Sequence, residues 1–365
     1  MKKLVGKLIG LAFISMLAVS CGGDKQSSGD VVKSQKTFKW KLVTSWPKNF
    51  PGLGTAPENF AKLVNEMSGG RLTVKVYGAG EIVPGFEVFD AVSQGTAQMG
   101  HAASYYWKGK MPAAPIFTAI PFGFNAQETN GWLHYGGGIE MWRELYKPFG
   151  VIPFAGGNTG VQAAGWFKKE INSVADLQGL KIRIPGLGGE VMKKLGAVPV
   201  ALTGGELFTS LQSGAIDATE WVGPYNDLAF GFHKVAEHYY TSGWHEPGAM
   251  LEFTVNEKAY NELPKDLQKI VEVATRAINQ DMLDEYTARN NNAMETLKNK
   301  HGVVFKSFPN DVMAALKQAS NEVIAEQEAS DETFAKIMKS YRQFQLQVSE
   351  YHNLSEVEYY KNREQ

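Results

Sequence analysis

Cysteine is almost absent from this sequence, in which Cys21 is the only one among 365 residues. A lone cysteine excludes an internal disulfide, and it makes cysteine catalysis unexpected. Common enzyme motifs are missing as well, because the chain has no His-Glu-x-x-His helix, no Gly-x-Ser-x-Gly elbow and no P-loop. The glycine-rich stretch Pro185–Glu190 lacks the third glycine of a dinucleotide-binding fingerprint. The sequence therefore indicates none of these enzyme classes.

The chain also lacks an excess of positive charge. Lys and Arg number 37 against 38 Asp and Glu, which excludes the broad basic field that nucleic-acid binding requires. Hydrophobic residues make up 44% of the chain and charged residues 21%, as in soluble globular proteins. The length is typical of two domains. We therefore expect a two-domain globular protein with no nucleic-acid partner.

Long hydrophobic runs are confined to the N-terminus. Leu8–Val19 is apolar but shorter than the roughly 18 residues of a membrane helix, and a basic start precedes it. The sequence LAVSC, which ends at Cys21, resembles a lipoprotein lipobox. We predict a lipoprotein signal peptide over 1–21, lipidation of Cys21, a flexible polar tether over 22–36 and a periplasmic, membrane-anchored protein. The alternative is an ordinary signal peptide with a chance cysteine.

Hydrophobic patterning predicts strands and short helices in two successive groups. The first group comprises strands over 38–44, 72–77 and 97–102 and helices over 57–67 and 86–94. The second comprises strands over 165–168, 180–184 and 218–221 and helices over 190–195 and 205–213. Such alternation is typical of βαβ units in a mostly parallel sheet. The predicted fold class is therefore α/β with two lobes.

The C-terminal third is predicted to be helical. After Pro264 the chain runs to Lys300 without glycine or proline, and Gly302 suits the end of one helix. This helix would be about 55 Å long and would brace both lobes, unless it breaks near 289–292. The apolar stripe of a last helix over 332–351 fits either packing on its own lobe or a dimer contact. The predicted boundaries are 38–160 with 250–285 for the first lobe, 161–249 with 286–328 for the second, and 329–365 for the C-terminal helix and tail.

Arg183 is a candidate binding residue. In the strand predicted over 180–184, Lys181 and Arg183 share one face and the two isoleucines share the other. Arg183 lies at the carboxyl end of this strand, where open α/β sheets bind ligands. A guanidinium there can hold a carboxylate through two parallel hydrogen bonds. The alternative interpretation is a solvated basic face.

Three segments of the chain resemble the solute-binding subunits of TRAP transporters, the tripartite ATP-independent periplasmic family of the DctP type. They are Asp176–Arg183, Phe86–Met99 and Gly205–Ala218, and the likeness covers roughly residues 38–350. The resemblance implies a two-lobed, periplasmic-binding-protein-like fold with a long helix across both lobes. It also implies a carrier rather than an enzyme, which captures a small carboxylate and delivers it to TRAP membrane subunits.

Closer similarity points to the subgroup that binds 2-oxo acids together with a cation. The match implies that Arg183 clamps the carboxylate and that Gln162, Trp221 and Tyr106 contact the substrate, with Tyr105 as the alternative to Tyr106. The implied metal ligands are side-chain oxygens of Gln162, Glu220 and Glu246 and the backbone carbonyl of Trp221. Pyruvate, longer 2-oxo acids and hydroxy acids all fit this pattern, and the pocket volume decides among them.

Charge counting supports a cation at this site. Arg183, Glu220, Glu246 and a monocarboxylate carry +1, −1, −1 and −1, which sum to −2. Burying that excess is costly unless a proton or a cation compensates it. Oxygen ligands suit Na⁺ or Ca²⁺ and not zinc. The resemblance favours Na⁺, and Ca²⁺ is the alternative.

Other functions fit parts of the pattern. Glu220 and Glu246 are candidates for the carboxylate pair of an exported hydrolase. The fold also suits a solute receptor of another transport or sensing system, and a purely structural lipoprotein is a further alternative.

Overall fold

A computed structural model gives the structure of the protein and describes residues 36–363. The predicted signal peptide, the lipidation site Cys21 and the tether up to residue 35 lie outside the described residues. From Thr37 onward the described residues form one compact unit. None of the helices between residues 36 and 363 has the length and apolar character that crossing a membrane requires.

Strands predicted from the sequence are all present, and further strands accompany them. The strands of the described chain are β1 (Phe38–Thr44), β2 (Leu72–Tyr77), β3 (Met99–Ala102), β4 (Val151–Asn158), β5 (Gly165–Phe167), β6 (Lys181–Arg183), β7 (Val198–Val200), β8 (Ala218–Thr219), β9 (His238–Tyr240), β10 (Met250–Asn256) and β11 (Phe305–Lys306). The sequence pattern did not predict β4 or β10. Both are almost entirely buried, so they lack the alternation of a half-exposed strand.

Helices surround these strands. They are α1 (Thr55–Met67), α2 (Val88–Ser93), α3 (Ala126–Tyr135), α4 (Gly138–Tyr146), α5 (Gly186–Lys194), α6 (Leu207–Ser213), α7 (Pro224–Phe230), α8 (Glu257–Asn261), α9 (Lys265–His301), α10 (Asn310–Ser330), α11 (Glu332–Leu354) and α12 (Glu356–Arg363). A short 3-10 turn over Ser104–Trp107 follows β3. It lies at the carboxyl end of that strand, on the side where the site is found.

Two separate sheets define two lobes. The sheet of the first lobe has the order β2-β1-β3-β10-β4, and β10 runs in the direction opposite to the other four strands. The sheet of the second lobe has the order β11-β9-β5-β8-β6-β7, and only β5 runs antiparallel to its neighbours. The predicted two-lobed fold with mostly parallel sheets is therefore confirmed.

The chain passes between the two sheets through two short crossing segments. Residues 159–164 join β4 to β5, and residues 241–249 join β9 to β10. The backbone N–H of Gly243 donates to the Gln162 carbonyl at 2.8 Å, and the N–H of Gln162 donates to the Glu246 carbonyl at 3.2 Å. The crossing segments are therefore hydrogen-bonded to each other between the lobes.

The long helix α9 is continuous over 37 residues, so the alternative of a break near 289–292 is wrong. It packs against α1 and β4 in the first lobe and against α7 in the second. Asn290 Oδ1 accepts the backbone N–H of Tyr225 at 3.0 Å, and Asn291 Nδ2 donates to the Thr287 carbonyl at 2.9 Å. These partners stabilise a polar stretch that could otherwise end a helix.

The first half of α11 packs on its own chain. Phe334, Ile337, Met338 and Tyr341 are buried against neighbours that include α3 and α4. The Tyr341 hydroxyl accepts the backbone N–H of Phe124 at 2.6 Å. This half of the apolar stripe is therefore used inside the protein.

Candidate functional site

Arg183 points into the protein from the carboxyl end of β6, and only 2% of it is exposed. Its Nε donates to the Leu202 carbonyl at 3.2 Å, and its Nη1 donates to Glu220 Oε1 at 2.5 Å and to the Glu220 carbonyl at 3.3 Å. Among residues 36–363, its Nη2 reaches only the Tyr106 hydroxyl, at 3.4 Å. Lys181 on the same strand is exposed. The interpretation of Arg183 as part of a solvated basic face is therefore wrong.

The guanidinium of Arg183 is a permanent buried cation. Burial is the largest single influence and lowers the pKa of Arg183, but the charges of Glu220, Tyr106, Tyr105 and Glu246 together outweigh it, and the net shift is upward. The guanidinium carbon lies 4.8 Å from the centroid of the Trp221 ring, which adds a cation–π contact. The edge at Nη2 is the part of the group best placed to receive an anion.

Two glutamates and a histidine cluster beside this arginine. Glu220, His245 and Glu246 are all buried, and each offers a potential ligand atom within 4.8 Å of the others. His245 Nε2 lies 3.4 Å from Glu220 Oε2. Burial, followed by the negative charge of Glu220, raises the pKa of Glu246 well above its usual range. The cluster therefore favours either a proton or a cation next to Glu246.

Gln162 offers this cluster an oxygen. Its Nε2 donates to Glu246 Oε2 at 2.8 Å and to Thr159 Oγ1 at 3.1 Å. Its Oε1 is buried and has no hydrogen-bond partner among residues 36–363. Buried polar atoms are rarely left without a partner. An unpaired amide oxygen beside two carboxylates fits the oxygen ligands that Na⁺ and Ca²⁺ prefer.

Two tyrosines reach across from the first lobe. Tyr105 and Tyr106 belong to the 3-10 turn over Ser104–Trp107. The Tyr106 hydroxyl meets Arg183, and the Tyr105 ring packs over Gly186, where an added Cβ would come within 3.2 Å of it. Gly186 also has a positive φ of 62°, which disfavours any larger residue there. Both tyrosines therefore line the site, and the structure does not single out one of them.

Between the lobes these residues enclose a cavity of only about 10 Å³. Its lining consists of Trp46, Leu53, Tyr105, Tyr106, Thr159, Gln162, Arg183, Trp221, Val222 and Leu251. The predicted substrate contacts Arg183, Gln162, Trp221 and Tyr106 all belong to it. The predicted metal ligands Glu220 and Glu246 bond directly to two of these residues. The structure thus brings the predicted site residues together.

Sequence reasoning missed six residues of this region. Leu53, Val222 and Leu251 are apolar lining residues of the cavity. Trp46 and Thr159 also line the cavity, and His245 contacts Glu220. These last three left a signal in the sequence, because Trp46 and Thr159 come just after the ends of β1 and β4, and His245 precedes Glu246. Residues at carboxyl ends of parallel strands are candidate ligand contacts in such folds.

Comparison with known proteins identifies the family. The family model described as bacterial extracellular solute-binding protein, family 7 (DctP), matches residues 42–331. The chain is 42% identical over 349 residues to the monocarboxylate 2-oxoacid-binding periplasmic protein of Nostoc sp., with 96% of this chain and 95% of that protein covered.

Two crystal structures of TRAP periplasmic solute-binding proteins are similar throughout. One, from Pseudoalteromonas atlantica with bound sodium and pyruvate, is 46% identical with a TM-score of 0.87, and the match covers 89% of this chain and 99% of that chain. The other, from Colwellia psychrerythraea with bound calcium and pyruvate, is 49% identical with a TM-score of 0.87. That match covers 90% of this chain and 100% of that chain. The chain therefore belongs to the DctP family of bacterial extracellular solute-binding proteins, and it is an extracytoplasmic solute-binding protein of the TRAP type.

Proposed function

We propose that this protein captures pyruvate or a closely related 2-oxo acid, together with a cation, and delivers it to TRAP membrane subunits. The observation that carries the proposal is the buried Arg183–Glu220 pair, in which Nη2 is left to face the cavity lined by both lobes. The two similar crystal structures, which hold pyruvate with sodium or calcium, support the ligand class. The Nostoc relative, named for monocarboxylate 2-oxo acids, supports it as well.

Recognition of the carboxylate is assigned to a single edge of Arg183. Its Nη1 and Nε already donate to Glu220 and Leu202, so only Nη2 is available to the substrate. Trp221 Nε1 is buried without a hydrogen-bond partner among the described residues, which makes it a second donor for an anion. The hydroxyls of Tyr105 and Tyr106 complete the donors that surround the carboxylate. Closure excludes water and strengthens these charge-assisted hydrogen bonds.

The cation is assigned to Gln162 Oε1, the carboxylates of Glu220 and Glu246, and the backbone carbonyl of Trp221. A bound cation would offset the two carboxylates and the substrate's own charge, and it would hold Glu246 in its ionised form. Na⁺ is our preferred ion, and Ca²⁺ is the alternative. Both belong to the hard cations that bind oxygen ligands.

We infer that the ligand is returned unchanged. Glu220 is already engaged by Arg183, so the two glutamates do not form the pair of independently tuned carboxyl groups that glycoside hydrolysis uses. This engagement favours the carrier over the exported hydrolase.

Closure is assigned to bending at the crossing segments 159–164 and 241–249, with lobe boundaries as predicted from the sequence. Gln162 and Glu246 lie on these two segments, one on each, and they bond to each other. A cation held by both residues would therefore favour the arrangement in which the segments are joined. Binding of the cation and closure of the lobes are then linked.

We propose that a lipid on Cys21 anchors the protein to a membrane from the periplasmic side. The LAVSC sequence at the end of the predicted signal peptide supports this assignment. Replacing Cys21 with alanine should release the processed protein into the soluble periplasmic fraction. Retention of that variant in the membrane fraction would contradict the anchor.

We also propose a homodimer through the end of the C-terminal helices. Leu346, Tyr351, Leu354, Tyr359 and Tyr360 are 50–77% exposed, a concentration of large apolar side chains that soluble surfaces normally avoid. Sedimentation equilibrium should give twice the chain mass for the wild type and a shift toward the monomer for L354D. A monomeric wild type at micromolar concentration would overturn the dimer.

Isothermal titration calorimetry on the purified protein tests the function. Pyruvate should bind in the presence of Na⁺ or Ca²⁺ and more weakly after chelation and exchange into choline buffer. Pyruvate recovered from the complex should be chemically unchanged. Absence of binding for pyruvate and all other small 2-oxo and 2-hydroxy acids, in either cation, would overturn the proposal.

A further inference from the structure

Trp46 lines the cavity from the first lobe. It follows β1 in the first lobe and is only 2% exposed. Its ring meets the Trp221 ring of the second lobe edge to face, with centroids 6.1 Å apart and planes at 83°. It also lies 6.1 Å from the Tyr106 ring. Trp46 thus contacts two residues to which carboxylate binding was assigned above.

His101 holds this tryptophan in place. Trp46 Nε1 donates to His101 Nδ1 at 2.8 Å, so the ring proton of a neutral His101 resides on Nε2, which donates to the Gly156 carbonyl at 2.9 Å. His101 is completely buried on β3. Burial lowers its pKa to about 4, although the bond to Gly156 opposes this shift. The imidazole therefore stays neutral above that pH and continues to accept the indole N–H.

The lining of the cavity combines polar groups with hydrocarbon. Arg183, Gln162 and Thr159 supply polar groups, whereas Trp46, Leu53, Leu251 and Val222 supply hydrocarbon. When Arg183 holds the carboxylate, the alkyl end of a 2-oxo acid is left to pack against the hydrocarbon residues of this lining. The free volume between the lining residues is about 10 Å³, about the space of one water molecule. An acid is therefore admitted only when the lining side chains move apart, and each added methylene group requires a larger displacement of the hydrocarbon residues.

We propose that Trp46 sets the upper limit on the carbon chain of the bound acid and that His101 is the residue that positions Trp46 for this role. The inference rests on the proposed function, because it concerns the selectivity of the same site. It restricts the natural ligand to the shortest 2-oxo acids, with pyruvate favoured over unbranched acids of four and five carbons. One methylene in a hydrophobic pocket changes selectivity by roughly 10- to 200-fold.

Calorimetry with pyruvate, 2-oxobutanoate and 2-oxopentanoate tests the role of Trp46. Wild type should bind pyruvate at least tenfold more tightly than 2-oxopentanoate. In W46L this ratio should fall at least tenfold, because the smaller side chain leaves room for the longer acid. An unchanged ratio in W46L would overturn the inference, whereas absence of any binding by the wild type would overturn the proposed function instead.

A matched control comes from another buried tryptophan of the first lobe. Trp142 stacks on Phe117 and is absent from the lining of the cavity. W142F should lose thermal stability and keep the wild-type ratio of affinities. A ratio altered equally in W142F and W46L would mean that general loosening of the lobe explains the effect, and it too would overturn the inference.

The positioning role of His101 is tested by two variants. In H101L the indole N–H loses its acceptor, so the affinity ratio should shift toward 2-oxopentanoate. H101N keeps an acceptor oxygen near the position of Nδ1 and should restore most of the selectivity. Introducing H101L into W46F, whose ring has no N–H, should leave the ratio of W46F unchanged. Equal ratios in wild type, H101L and H101N would contradict the role of His101.

Discussion

Arg183 and Glu220 form an ion pair, with Nη1 and Oε1 separated by 2.5 Å, in which the side chains are only 2% and 1% exposed. A buried pair of this kind is maintained only by close geometry and further hydrogen bonds. Here the Leu202 carbonyl supports Arg183, and His245 supports Glu220. The pair therefore fixes the guanidinium with one edge directed at the Tyr106 hydroxyl.

Replacing Arg183 with lysine should weaken pyruvate binding roughly 10- to 150-fold. A single ammonium group cannot pair with Glu220 and also reach the substrate, and hydrogen bonds to charged groups contribute about 1.5–3 kcal/mol. Arg183→Ala should lose binding as well, but it also leaves Glu220 unpaired, which costs about 3–5 kcal/mol of folding stability. Calorimetry on R183K, with K181A as the exposed control on the same strand, measures the effect. Wild-type affinity in R183K would contradict our assignment.

Replacing Glu246 with glutamine should remove most of the cation dependence of pyruvate binding. The variant removes one of the two carboxylates assigned to the cation, so less negative charge has to be offset. The dissociation constant for pyruvate, measured over a series of Na⁺ or Ca²⁺ concentrations, should change steeply for the wild type and little for E246Q. E144Q, a change at an exposed glutamate, should behave as the wild type. An equally steep dependence in E246Q would exclude Glu246 as a ligand.

A salt bridge between Lys108 and Glu190 joins the two lobes at the edge of the cleft. Lys108 directly follows the tyrosine turn, and Glu190 lies on α5. Partly exposed pairs of this kind contribute up to about 1 kcal/mol, so E190Q should speed pyruvate release up to about fivefold at low salt. The difference in release rate between E190Q and the wild type should become smaller in 1 M salt, where screening is strong.

The control for this salt bridge is E144Q, which breaks the exposed pair between Lys336 and Glu144, away from the cleft. Stopped-flow measurement of pyruvate release should give the wild-type rate for E144Q. Equal release rates in E190Q and wild type at low salt would show that the Lys108–Glu190 pair does not hold the lobes together.

Glu252 should make the stability of the first lobe depend on pH. The residue is fully buried on β10, Trp107 Nε1 and the Tyr146 hydroxyl donate to it, and burial raises its pKa from 4.5 to about 7. The folded protein holds this proton more tightly than the unfolded chain, so stability falls as the pH rises from about 4.5 to about 7. Deprotonation of Glu252 should lower the free energy of unfolding by at most about 3 kcal/mol.

Urea unfolding at pH 5 and pH 8 measures this dependence. E252Q cannot titrate, so its free energy of unfolding should decline less between the two pH values than that of the wild type. E257Q, which changes an exposed glutamate on α8, should decline as the wild type does. Parallel declines in E252Q and wild type would show that Glu252 is not the source.

Local sequence pattern was sufficient for much of the fold. In the half-exposed strands β1 and β2, apolar and polar residues alternate, and this alternation can be seen within each segment alone. Pro264 and Gly302 mark the ends of α9. The position of Arg183 at a strand end was also visible. The grouping of Gln162, Glu220 and Glu246 around it came from the resemblance to a family, because no local pattern brings such distant residues together.

Tertiary structure decided what depends on contacts between distant segments. Asn290 within the continuous α9 accepts the backbone N–H of Tyr225, and the almost entirely buried strands β4 and β10 are identified by their pairing in the sheet. Trp46 and His101 are 55 residues apart and meet because β1 and β3 pair in parallel. The sequence by itself determined which residue types were available for an anion and a cation. The cavity volume, and hence the size of acid admitted, arises only when side chains from both lobes pack together.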